Sequence, residues 1–160
     1  MVLPSNLTIN EYLGNKINAN TLNPSDHVLI ALAVFIANLY PSVETYVDAQ
    51  QQDVALPALF VDYYSINNNQ RLIDTSQYEF GIEITYVPTD NLSRAELSGA
   101  IYNIQQNLYK IPSGIGEIVC YSKSSDITDG LAHVTGIVSI RDVEMPTGEI
   151  IQIADKELVK

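Results

Sequence analysis

The stretch from Val28 to Ala37 reads Val-Leu-Ile-Ala-Leu-Ala-Val-Phe-Ile-Ala, ten residues without a polar side chain. It lies between strong helix boundaries. Asn23 can cap, Pro24 suits the first helical position, and Asp26 puts negative charge at the positive end of the helix dipole. Pro41 closes the element, because the residue before a proline avoids helical geometry. These signals predict a helix from Pro24 to about Leu39. A helix that is apolar all round must be covered on more than one side. The sheet of a small domain covers one side, and the expectation for the other is a neighbouring subunit. Ten residues also fall short of the roughly 20 needed to span a bilayer.

The rest of the chain alternates between helix and strand signals. Thr8-Ile9-Asn10-Glu11 has capping-box spacing, and Ile9, Tyr12, Leu13 and Ile17 form one stripe. They predict a short helix over Ile9–Ile17 inside an N-terminal extension, residues 1–23, followed by a domain over 24–160. Val43–Val47 and Ala58–Ile66 are strand-like, with a polar, glutamine-rich loop at 48–53 between them; Asn67-Asn68-Asn69 reads as a turn. Tyr78, Phe80, Ile82, Ile84 and Tyr86 alternate with Glu79, Gly81, Glu83, Thr85 and Val87. This is an amphipathic strand with one buried face and one acidic, wet face. Ser93-Arg94-Ala95-Glu96 caps a helix to about Tyr109, with Leu97, Ile101, Ile104 and Leu108 on one side. Pro112, Gly114 and Gly116 end it. Strands follow at Glu117–Ser122 and Leu131–Val143 around an Asp129-Gly130 turn, and Glu149–Ile153 reads as a last one. Short turns favour antiparallel pairing. The predicted fold is α+β: a two-layer sandwich of a mainly antiparallel sheet with helices packed on one face.

Eight Lys and Arg face nineteen Asp and Glu, a net charge of −11. Attraction to phosphate backbones or to anionic lipid needs the opposite sign, so general nucleic-acid and membrane-surface binding are disfavoured. Cys120 is the single cysteine, which excludes an internal disulfide and suggests a buried, inert thiol. His27, in the first turn of the apolar helix, and His133, inside a strand, belong to no catalytic or metal-binding motif. Ser113-Gly114-Ile115-Gly116 follows a helix rather than a strand and reads as a turn, not as a phosphate cradle. Asp126-Ile127-Thr128-Asp129-Gly130 lacks the acidic third position and the closing glutamate of a calcium loop. No catalytic residue, cofactor or metal ligand is assigned, and no enzymatic activity is expected. Of the ten tyrosines, Tyr40, Tyr46, Tyr63, Tyr64, Tyr78 and Tyr86 fit interface contacts and ordinary strand packing equally well.

One block carries a resemblance. The apolar helix ends Ala37-Asn38-Leu39-Tyr40-Pro41 and is followed by Val43-Glu44-Thr45-Tyr46, the glutamine-rich loop and Leu56-Pro57-Ala58-Leu59-Phe60-Val61. Then come Tyr78 through Pro88, a capped helix, and Asp129-Gly130-Leu131-Ala132-His133-Val134 leading into a late strand. From about Pro24 to Val143 this order resembles the tail terminator (tail completion) proteins of tailed bacteriophages and prophages, especially the type found with Gram-positive hosts. The resemblance implies a non-enzymatic virion protein without cofactor, assembled in the host cytoplasm into the tail and neck. It implies a ring, usually a hexamer, on the head-proximal end of the tail tube. That ring stops tube polymerisation and presents a surface to neck or head-completion proteins, with the tail sheath as a further candidate neighbour.

Under that implication Glu79 and Glu83 are candidate lumen-lining residues, since like charge lets DNA slide through without specific binding. A closed ring needs two different contact faces on each subunit, and the N-terminal arm is a candidate for reaching a neighbour. Another neck or head–tail connector protein, or a tail-tube subunit, is the alternative within this class. Outside it stands a small-molecule-binding domain, which would need a concave apolar pocket with convergent polar groups.

Overall fold

The computed structural model describes residues 2–47, 54–72, 75–90 and 93–141. In chain order they form β1 (Leu7–Ile9), α1 (Glu11–Ala19), α2 (Pro24–Leu39), β2 (Glu44–Val47), β3 (Ala58–Leu72), β4 (Thr75–Val87), α3 (Arg94–Asn107), β5 (Lys110–Ser113), β6 (Gly116–Thr128) and β7 (Leu131–Arg141). Helix α2 has the predicted bounds. Asn23 Oδ1 accepts from the Asp26 N–H at 2.9 Å, and the Asp26 carboxylate accepts the Asn23 N–H at 2.8 Å, a reciprocal box that satisfies two otherwise unpaired donors. Among the described residues no single helix is long and apolar enough to cross a membrane.

The sheet explains how one small domain encloses a helix with no polar face. Its seven strands run in the order β1-β2-β3-β4-β7-β6-β5. Helix α2 packs against β1, β2 and β3 near one edge and against β5 at the other. Neighbouring strands are about 4.8 Å apart, so the two edges of a flat sheet this wide could not reach one helix. The sheet is instead curled into a half-barrel around α2, while α3 lies against β6 and β7. Val28, Ile30, Leu32, Ala33, Ile36 and Ala37 are buried there. The α+β expectation holds, but the flat two-layer sandwich is replaced by a curled sheet. Most of the second cover expected from a neighbouring subunit comes from the chain itself. The sheet is mixed: β1–β2 and β2–β3 pair in parallel, and the other four ladders are antiparallel.

The parallel start belongs to the segment expected to be an arm, which packs on the rest of its own chain. β1 lies beside β2 with Thr8 opposite Tyr46, and Leu3, Leu7, Ile9, Leu13 and Ile17 join the common core. Thr8 is therefore a strand residue. The cap of α1 is Asn10, whose side chain accepts from the Leu13 N–H at 2.8 Å. Asn6 fastens the segment. Its Nδ2 donates to the carbonyls of Ala37 (3.0 Å), Tyr40 (3.0 Å) and Val43 (2.9 Å), at the exit of α2.

Three local readings change. Asn67-Asn68-Asn69 is not a turn: β3 runs on, with Asn67 opposite Glu79 and Asn68 opposite Tyr78. Ladder pairing with β4 overrides the local turn preference, and a bulge at Tyr63–Ser65 absorbs the shift in register. The segment after α3 forms β5, which pairs with β6 through a turn at Gly114 and Ile115; Gly116 has φ +105°. β6 extends to Thr128. Asp129 and Gly130 then have φ 54° and 74°, the double left-handed geometry of a type I′ hairpin turn. The glutamine-rich loop at 48–53 and the strand expected at Glu149–Ile153 lie outside the described residues.

Two predictions concern stability. Asn6→Ala leaves three carbonyls without this donor and is expected to cost about 1–3 kcal/mol, read as a lower midpoint in urea or heat. Asn6→Asp, which aims a carboxylate at the same carbonyls, should cost more; unchanged midpoints would contradict the role. The second prediction concerns alkali. Burial raises the pKa of Tyr63, whose hydroxyl donates to the Ser25 carbonyl, with nearby Asp26 adding to the shift. Burial also raises Tyr86, whose hydroxyl donates to Glu96 at 2.8 Å, and pushes the Cys120 thiol up to about 11 from its usual value near 9. Each folded-state pKa is raised, so the native state holds more protons. Stability is therefore retained below pH 9 and falls as pH rises from about 9 to 11. Urea midpoints flat across that range would contradict this.

Candidate functional site

Strand alternation decides which face of the sheet is free. On β4, Phe80, Ile82, Ile84 and Tyr86 are buried in the core, so Glu79, Glu83 and Thr85 point to the opposite, outer face, at whose end Gln77 is itself buried. The ladder register carries this face across the neighbours. Asp62 of β3 pairs with Glu83, which pairs with Thr135 of β7; Thr85 pairs with His133, which pairs with Asp126 of β6. The result is a polar face with four carboxylates and one imidazole.

The side chains are interlinked. His133 Nδ1 lies 2.9 Å from Glu83 Oε1 and 3.3 Å from Thr85 Oγ1. The Tyr121 hydroxyl donates to Glu79 Oε1 at 3.2 Å. Glu79 and Glu83 do share the face the period-2 pattern assigned to them. Each also has a partner from a strand about 40–50 residues later, and no sequence signal announces that register. Tyr64, thrown out by the β3 bulge, covers Gly81, where an added Cβ would sit 2.5 Å from the ring. A glycine in the middle of an alternating strand was the legible sign of such a close approach.

No lysine or arginine is paired along this face from Glu79 to Tyr86, and the register sets Arg141 opposite Gln77 at its end. Lys123 turns away to the end of α3, donating to the Gln105 and Leu108 carbonyls at 2.7 and 2.9 Å, where the helix leaves acceptors unpaired. Lys16 pairs with Asp26, and Lys110 pairs with Glu117 at 3.2 Å. The other reactive residue types are not brought together. His27 is buried in the first turn of α2. Cys120 is buried on the core face against Gly136, where an added Cβ would sit 2.5 Å from its Sγ. His133 stands on the outer face. No group of three or more His, Cys, Asp or Glu that could hold a metal occurs among the described residues. The tyrosines divide: Tyr46 stacks on Phe60, and Tyr63 and Tyr78 flank Phe80, whereas Tyr12, Tyr64, Tyr102 and Tyr109 are exposed.

What the fold and the face define is an α+β module with an apolar inner face and an acidic outer one. Residues 27–147, about three quarters of the chain, match the sequence profile of phage tail terminator proteins, and the chain belongs to that family. It is thus a component of a bacteriophage tail, in a structural family not known for enzymatic activity. No curated protein matches the chain. The match begins inside α2, so β1 and α1 lie outside the matched span.

Because the Glu83–His133 pair is part-exposed, it contributes little to folding. Glu83→Gln is expected to shift unfolding stability by less than about 1 kcal/mol. A larger loss would make the pair a structural element and not a feature of a working surface.

Proposed function

We propose that this chain is the ring-forming terminator of a tail tube. Copies close into a ring, a hexamer, on the head-proximal end of the tube. They stop its polymerisation and offer their opposite side to neck or head-completion proteins, with the sheath as a further neighbour in a contractile tail. The observation that carries this reading is the family match together with the carboxylates Asp62, Glu79, Glu83 and Asp126 gathered on one sheet face. In the ring this outer face of β4 and β7 lines the channel, with Glu79 and Glu83 toward the lumen. DNA must pass such a channel without adhering. A wall of like charge prevents close phosphate contacts and counterion release, whereas lysines there would create them. Assembly takes place in the host cytoplasm, and the Gram-positive host type belongs to the same proposal.

The reading is tested in two ways. Purified full-length chain added to polymerising tubes should yield tubes capped by a single ring, seen by electron microscopy. Long stacked polymers of this chain would make it a tube subunit instead. Reversing both carboxylates, Glu79→Lys with Glu83→Lys, should leave assembly intact and slow DNA ejection from finished particles at least several-fold. An unchanged ejection rate would remove these residues from the lumen.

A further inference from the structure

Two uncharged apolar features lie at opposite ends of α2. The first is a groove of about 280 Å³ along its C-terminal half, lined by Val34, Phe35, Asn38, Leu39, Asn107 and Pro112, with no charged residue in its lining. It is the part of the apolar helix that the curled sheet leaves open. The second is Ile66, 55% exposed, on the β3–β4 ribbon. Ile66 borders a second hollow of about 280 Å³, together with Tyr78, Phe80 and the first turn of α2 at Pro24 and Ser25. At 1.5 Å per residue the two features are about 20 Å apart along the helix. Other exposed aliphatic side chains, Val2 and Leu56, stand outside regular strands and helices, whereas Ile66 is held by a ladder.

Charge selects the occupant. Each copy carries −11, so two copies meet only where carboxylates are excluded from the contact. No charged residue occurs from Val28 to Val43 or from Tyr63 to Gln70, in a chain where 17% of residues are charged. A closing ring joins two unlike faces of the subunit, and an exposed aliphatic side chain on one can seat in an apolar groove on the next. We infer that the α2 groove receives Ile66 of a second copy of this chain, so that head-to-tail repetition of this one contact closes the ring. The inference rests on the ring reading above and names the surfaces that make it.

The contact is tested by proximity. The full-length double variant Asn38→Cys with Ile66→Cys, mildly oxidised with and without tail tubes present, should give a ladder of covalent oligomers on a non-reducing gel. Each single variant should give none, since Cys120 is buried. A second arm uses charge. Ile66→Glu should weaken self-association at least tenfold with an unchanged circular dichroism spectrum, and mixing it with Asn38→Lys should restore assembly. Raising salt should strengthen association of the unaltered chain, because it screens repulsion between acidic subunits. Rings seen by microscopy without a ladder, and indifferent to Ile66→Glu, would overturn this contact and leave the ring reading standing. Absence of any ring, with tubes or without, would overturn both.

Discussion

Everything in this molecule is arranged around the need to bury a helix that has no polar side. An element such as α2 cannot lie on a surface, and one flat sheet covers only one of its flanks. The chain meets the requirement by curling a seven-strand sheet until β1, β2 and β3 on one side and β5 on the other touch the same helix. The rest follows. The short β1 is needed to extend the sheet at its parallel edge, Asn6 ties that edge to the carbonyls at the end of α2, and the β5–β6 hairpin supplies the far wall. Curling also gives the sheet an inner and an outer face with opposite chemistry. The inner face is apolar and closed by tyrosine hydroxyls bonded to Ser25 and Glu96; the outer face holds the carboxylates.

This separation of faces lets one strand serve two purposes. In β4, Phe80, Ile82 and Ile84 hold the core, and the residues between them are free to be chosen for contact. Lys123 of β6 is held away from that face, at the end of α3. For a member of the phage tail terminator family, such a division is what the proposed channel-lining role asks for: a packed inner face and an acidic outer one.

Local signals were legible and long-range ones were not. The box at Asn23 and Asp26, the alternation along β4 and the Asp129-Gly130 turn each encode their geometry within a few residues, and each is found where the sequence places it. The three-residue β1 is too short to show a period, and Thr8 offered a plausible cap two residues ahead of Asn10, which in fact caps the helix. The asparagine run at 67–69 has turn composition, yet pairing with β4 outweighs it. The links from Glu83 to His133 and from Glu79 to Tyr121 depend on the order of β4, β7 and β6, which is a property of the closed sheet and not of any segment. The apolar excess of α2 was visible; that one chain could supply most of its cover was not, because curvature is set by all the strands together.

The central claim is that the curled sheet turns its acidic outer face toward a channel. A cryo-electron microscopy reconstruction of the tail–neck junction tests it most directly. The account predicts a single ring of this subunit with β4 and β7 tangential to the pore and the Glu79 and Glu83 side chains facing the axis. A ring whose pore is lined by other elements, with this face buried or turned to the outside, would contradict it.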